Sequence, residues 1–212
     1  MAVKWSRSIL EKFIAPEICS FTQAEIPDLS SIFTQSQYWI GNHFLNNVFR
    51  VSYPSKFRQV VLHFLRRANN AFNSYHSARS LTLNYLNDVQ PYSPAITRYY
   101  AAVSEWESFT ISCSIAIDLF VWLNGGEKPF KKNDGTKEQR LYTVANQVKH
   151  TAKCIKSTQL TENDVIPLWL SNDGLQSFKL KVLYSEAAEV LTDIAKLAEE
   201  LQDPNNFIKN HF

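Results

Sequence analysis

Between Pro54 and Asn87 the apolar residues Phe57, Val60, Val61, Phe64, Leu65, Ala68, Phe72, Tyr75, Ala78, Tyr85 and Leu86 recur at steps of three, four and seven. That spacing paints one stripe along an α-helix, and Pro54 stands where a first-turn proline is tolerated. The pattern predicts one long amphipathic helix closed by the turn Asp88-Val89-Gln90-Pro91. Its stripe must be buried against other elements, and the rest of the chain supplies mostly helices. Ser93-Pro94 opens a second helix, with an N-cap hydroxyl and a proline at the first helical position, and Asn124-Gly125-Gly126 stops it after Leu123. Thr136-x-x-Gln139 has the form of a capping box and predicts a third main helix over roughly Lys137 to Lys156. Asn172-Asp173-Gly174, between Pro167–Ser171 and the alternating Phe178, Leu180 and Val182, predicts a β-hairpin. A last amphipathic helix runs from Ser185 to Asp203-Pro204, and Trp5, Ile9 and Phe13 mark a short first one. The expected fold is therefore all-α, an up-and-down helical bundle with a small β-hairpin before the last helix. It forms a single helical domain over 1–212, with 1–50 as an N-terminal helical extension and 54–202 as the bundle core.

The hydrophobic content of 45% sets the chain apart from disordered proteins. Its longest apolar stretch, Ile111 to Leu123, is interrupted by Ser112, Ser114 and Asp118, so no membrane span is expected. The N-terminus lacks a secretory pattern, and Cys19, Cys113 and Cys154 are odd in number and far apart. They read as reduced thiols in the cytoplasm. The five histidines and three cysteines show no metal-ligand spacing, and the glycines form no phosphate loop, so neither a metal nor a cofactor is expected.

A net charge of +2 conceals strong segregation. From Leu29 to Asn87 there is no Asp or Glu, against Arg50, Lys56, Arg58, Arg66, Arg67 and Arg79. A second block, Lys128 to Lys156, holds eight Lys and Arg against Asp134 and Glu138. Such segregation points to an anionic partner, with nucleic acid the obvious one. On a helical wheel of the third helix, Leu141, Val144, Ala145, Val148, Ala152 and Ile155 face the core, while Asn146, His150 and Lys153 face away with Lys149 at the edge. Such a face is either simply solvated or a binding surface. On the second helix Tyr100, Glu107 and Ser114 repeat every seven residues, with Asp118 extending the polar stripe.

The run Tyr142-Thr143-Val144-Ala145-Asn146-Gln147-Val148-Lys149-His150 resembles the signature region of the HEPN superfamily. The motif there is an arginine, four to six residues, then a histidine, often with a polar residue directly after the arginine. The resemblance covers about Arg98 to Gln202. It implies a four- or five-helix bundle, homodimers and, in active members, metal-independent RNA cleavage. His150 matches the histidine, Asn146 the polar residue, and Ala145 stands where the arginine belongs. Alanine lacks the bidentate guanidinium grip on a scissile phosphate. Arg140 is ten residues before His150, about 15 Å along the axis and about 80° round the helix. What the resemblance implies is an RNA-binding protein that is a weak or inactive endoribonuclease. His150, Asn146 and Glu107 would be its catalytic candidates, Glu107 by orienting His150 or pairing with Lys149. Lys149, Lys153, Arg140, Arg66 and Arg67 would hold RNA. The alternative is an antitoxin-like adaptor that binds another protein.

Overall fold

The computed structural model describes residues 5–88, 95–156 and 166–206. Its helices are α1 (Arg7–Phe13), α2 (Ser30–Ser36), α3 (Trp39–Phe49), α4 (Ser55–Asp88), α5 (Ile96–Leu123), α6 (Lys137–Lys149), α7 (Thr151–Lys156) and α8 (Tyr184–Leu201). The strands β1 (Trp169–Leu170), β2 (Gly174–Ser177) and β3 (Leu180–Leu183) stand just before α8. The expected turn residues Val89 to Pro91 and the Ser93-Pro94 helix start lie outside the described residues.

The long stripe read after Pro54 is buried as expected: Val61, Phe64, Leu65, Ala68, Phe72, Tyr75, Ala78 and Tyr85 line the inner face of α4. Helix α5 runs antiparallel to it, with Trp106 beside Thr82 and Trp122 beside Phe57. The Trp106 indole donates to Thr82 Oγ1 (3.0 Å), whose own proton goes back to the Ala78 carbonyl (2.7 Å), so a polar pair is satisfied inside an apolar interface. Helix α6 packs on α5, and α8 touches α4, α5 and α6. Residue pairings make each neighbour antiparallel, Tyr142 to Asp118 and Lys149 to Ser114, then Lys137 to Asp193 and Arg140 to Glu186. The result is an up-and-down bundle of α4, α5, α6 and α8. The N-terminal residues are not a separate layer: Leu10, Ile18, Phe21, Trp39 and Tyr53 belong to the same apolar core as α4 and α8.

By length and composition α5 is apolar enough to cross a membrane. Here it is the central helix, with Tyr99, Val103, Trp106, Phe109, Cys113 and Ile117 buried.

Three local expectations are corrected. The single helix expected from Lys137 to Lys156 is two, separated at His150, whose backbone leaves helical geometry (φ −112°, ψ 29°). The Thr151 hydroxyl folds back onto the Val148 carbonyl (2.7 Å), taking an acceptor that a continuing helix would use. The wheel fails there: beyond the break Cys154 turns inward while Ala152 and Ile155 are exposed, and before it Val148 is only half-buried. At the other end of α6, Thr136 caps as predicted by accepting from Gln139 N–H, but the Gln139 amide bonds Thr143 Oγ1 instead of returning to Thr136. Asp134 Oδ1 accepts the Thr136 N–H in its place (3.0 Å). Finally, the expected hairpin is present, but the chain turns at Phe178 instead of continuing as one strand, giving a three-stranded antiparallel sheet in the order β1-β2-β3. The predicted Asn172-Asp173 turn joins β1 to β2, and a second turn at Phe178, with φ +50°, starts β3.

Candidate functional site

The stripe Tyr142, Asn146 and Lys149 stands at positions i, i+4 and i+7 of α6, facing Ser114 and Asp118 at i and i+4 of α5. The Lys149 ammonium donates to Ser114 Oγ (2.6 Å), and Ser114 donates onward to the Ile111 carbonyl (2.8 Å). Tyr142 donates to Asp118 Oδ1 (2.8 Å) and is itself hydrogen-bonded by the Asn146 side chain. Arg67 enters from α4, close enough for its charge to act on Lys149. Desolvation holds the Lys149 pKa below its ordinary value, Arg67 lowers it further, and Asp118 opposes both. Two cations from separate stretches of the chain therefore influence each other electrostatically near one carboxylate that already serves Tyr142.

The neighbouring charges show which part of the basic blocks is left over. Lys137 is committed to Glu189 (3.0 Å) and Asp193 (3.3 Å) of α8, and Arg140 to Glu186. Arg50 pairs with Asp203 (3.3 Å) and Arg79 with Asp28 (3.5 Å). Arg66, Arg67, Lys149, Lys153 and Lys156 have no ion pair among the described residues. Lys128 lies over the Tyr142 ring (4.8 Å), on the same side of the bundle. The half of the second basic block nearest α8 is thus neutralised, and the half nearest α4 is not.

Among the residues picked from sequence, Asn146 and Lys149 share one stripe of α6, and the Arg67 charge reaches Lys149 from α4. Arg66 is on the exposed outer side of α4 beside Arg67, and Lys153 is exposed on α7 beyond the break. Arg140 belongs to the α8 side and is not part of this group. His150 caps α6 at the surface, where its side chain makes no hydrogen bond among the described residues. Glu107 is a half-buried carboxylate whose pKa burial pushes up, and no ion pair holds it among the described residues. Lys149 bonds Ser114, seven residues further along α5, or about 10 Å by helical rise. Glu107 accordingly makes no ion pair or hydrogen bond with Lys149 or His150 among the described residues. Ala145, at the arginine position of the motif, is completely buried.

Tyr142 was not singled out from the sequence as a site residue, although its i, i+4, i+7 relation to Asn146 and Lys149 was there to be read. Chemically the cluster can hold an anion through Arg67 and Lys149. Its one hydroxyl–amine pair, Ser114 with Lys149, has Ser114 completely buried and donating to the Ile111 carbonyl, and no group of three metal-ligating side chains is assembled among the described residues. No family model, curated protein or solved structure matches the chain.

Proposed function

We propose that this chain is a cytoplasmic RNA-binding protein of HEPN-like design that grips the phosphate backbone without cleaving it efficiently. One observation carries the reading: Lys149, hydrogen-bonded to Ser114, and Arg67, from two separate acid-poor stretches, lie close enough for the Arg67 charge to disfavour the charged form of Lys149. A bound phosphate would relieve that like-charge strain, and Arg66 and Lys153 extend the cationic surface along the bundle. Lack of efficient cleavage follows from Ala145, which faces the core where the motif calls for a guanidinium, and from a His150 ring with no hydrogen bond to orient it among the described residues.

The test is binding of a labelled single-stranded RNA across a salt series. Affinity should fall steeply with salt, and the double variant Arg66→Glu/Arg67→Glu and Lys149→Ala should weaken it for all sequences alike. The slope of log affinity against log salt should drop by about one for each phosphate contact removed. Affinity that is flat in salt would sink the proposal and favour the adaptor. Metal-independent cleavage abolished by His150→Ala would instead make the protein an active nuclease.

A further inference from the structure

Helix α3 carries its apolar residues on the wrong side for a monomer. Trp39 and His43 face the core, while Tyr38, Phe44, Leu45, Val48 and Phe49, with Val51 just beyond, are between 40% and 77% exposed. On the wheel the exposed face centres on Gly41 and Val48, with Phe44 on one flank and Leu45, Phe49 and Tyr38 on the other. Their exposures together equal roughly three and a half fully exposed side chains, on the order of 700 Å² at about 200 Å² for a large side chain. A typical monomer's largest apolar patch is about 300–600 Å², whereas a stable interface takes about 800 Å² from each partner.

We infer that this face is the contact between two copies of the chain, packed α3 against α3 about a two-fold axis. In such an interface every residue near the axis meets its own twin, so charges of one sign would repel across it. Helix α3 contains no Lys, Arg, Asp or Glu over its 11 residues. The exposed polar residues beside it are Gln35, Gln37, Asn42 and Ser52. Of the nearby charges, Arg50 is tied to Asp203, Arg58 donates to Ser52 Oγ (3.5 Å), and Glu199 stands at the edge of the groove lined by Leu45 and Phe49. A helix without cations does not suit the phosphates of RNA or an anionic lipid surface, which are held by Lys and Arg on the polar flank.

Gly41 is the second, independent observation. Gly41 is the third residue of α3, where alanine is the better helix former, and a Cβ at this position would meet nothing within 4 Å. The fold of one chain therefore gives no steric reason for glycine at the centre of the exposed face. A second α3 does: the missing side chain leaves a gap into which a neighbouring Phe44, Leu45 or Val48 can seat as the two helices close.

The surface is remote from the cationic cluster. Asn69, Phe72 and His76 of α4 meet α2 and α3, whereas Arg67 faces Lys149 on the other flank of α4. Two copies joined through α3 leave both cationic faces open.

The experiment is the solution mass of the full chain by sedimentation between about 1 and 100 µM, together with thermal melting. Wild type should sediment at twice the 24.4 kDa chain mass. Phe49→Asp should give the single-chain mass with its helical circular dichroism retained. Gly41→Gln fits the open space of one chain and favours helix, so it should keep or raise the melting temperature while weakening self-association at least tenfold. Phe13→Asp, on the exposed stripe of α1, should leave the dimer intact. A single-chain mass for wild type throughout the range, or a dimer untouched by both Phe49→Asp and Gly41→Gln, would overturn the proposal. RNA affinity measured on the same monomeric variants reports separately on the cationic face, so the two readings can fail independently.

Discussion

The proposed lack of cleavage turns on one residue, Ala145. Ala145 has no exposed surface and lies among Leu141 and Val144 on the inner side of α6. Restoring the motif arginine with Ala145→Arg drives a long cation into a filled core, at a cost of roughly 3 kcal/mol or more, and does not create a nuclease. Denaturant unfolding and an RNA cleavage assay on the variant check both halves; wild-type stability with new cleavage would refute the placement. His43 offers a pH dependence whose sign can be worked out. It is buried in α3 against Tyr53, with burial and the Arg58 charge holding its pKa below the ordinary 6.5 and a hydrogen bond to Leu201 opposing them. The unfolded chain therefore takes up a proton that the folded chain resists. Stability is fully present above about pH 6.5 and declines as the pH falls from there toward the depressed folded value. Melting temperatures of wild type and His43→Phe measured from neutral pH downward should diverge in slope, wild type losing more. Parallel curves would mean that His43 is not the group responsible.

At the scale of elements, the small sheet and the break in α6 belong together. Ser177 of β2 hydrogen-bonds the Gln147 side chain (2.6 Å) just before α6 ends, so the sheet holds the last turn of the helix that carries Lys149. The sheet in turn depends on Gly174, paired with Leu183 across the strands. A Cβ there would run into the Val182 carbonyl and the Leu183 Cα, which are backbone atoms that cannot swing aside. Gly174→Ala should therefore destabilise the protein by about 1–3 kcal/mol. Urea unfolding measures it, and an unchanged midpoint would show that the strands can separate without loss. The break itself escapes the wheel because both a straight and a broken helix satisfy the same spacing up to Val148. The choice rests on the Thr151 hydroxyl bonding Val148 and on Cys154, not Ile155, finding the core.

Across the whole molecule, charge and apolar surface are sorted to different sides. The acids of α8 neutralise Lys137 and Arg140 on one side, the cations around Arg67 and Lys149 remain on another, and the uncharged apolar face of α3 occupies a third. A net charge of +2 describes none of these sides. For that reason the RNA and sedimentation experiments are most informative on the same preparations. Salt should weaken RNA binding through lost counterion release while leaving an apolar α3 contact largely unaffected.

The sequence by itself determined the architecture. The stripe from Phe57 to Leu86 can be buried only as a long helix, Asn124-Gly125-Gly126 ends α5 because Gly125 and Gly126 adopt φ of +67° and +98°, and Thr136 starts α6. Each signal is local, read out within one or two turns of chain. The tertiary structure alone decided which cations remain unpaired. Lys137 and Arg140 are equivalent to Lys149 in the sequence, and it is α8 that brings carboxylates to them while Lys149 is left with the Ser114 hydroxyl. The same holds for α3, whose loose apolar pattern shows an outward face only once Trp39 and His43 are seen to take the core. Helix spacing specifies the sides of each cylinder, and only the docking of one cylinder on another determines which side meets water.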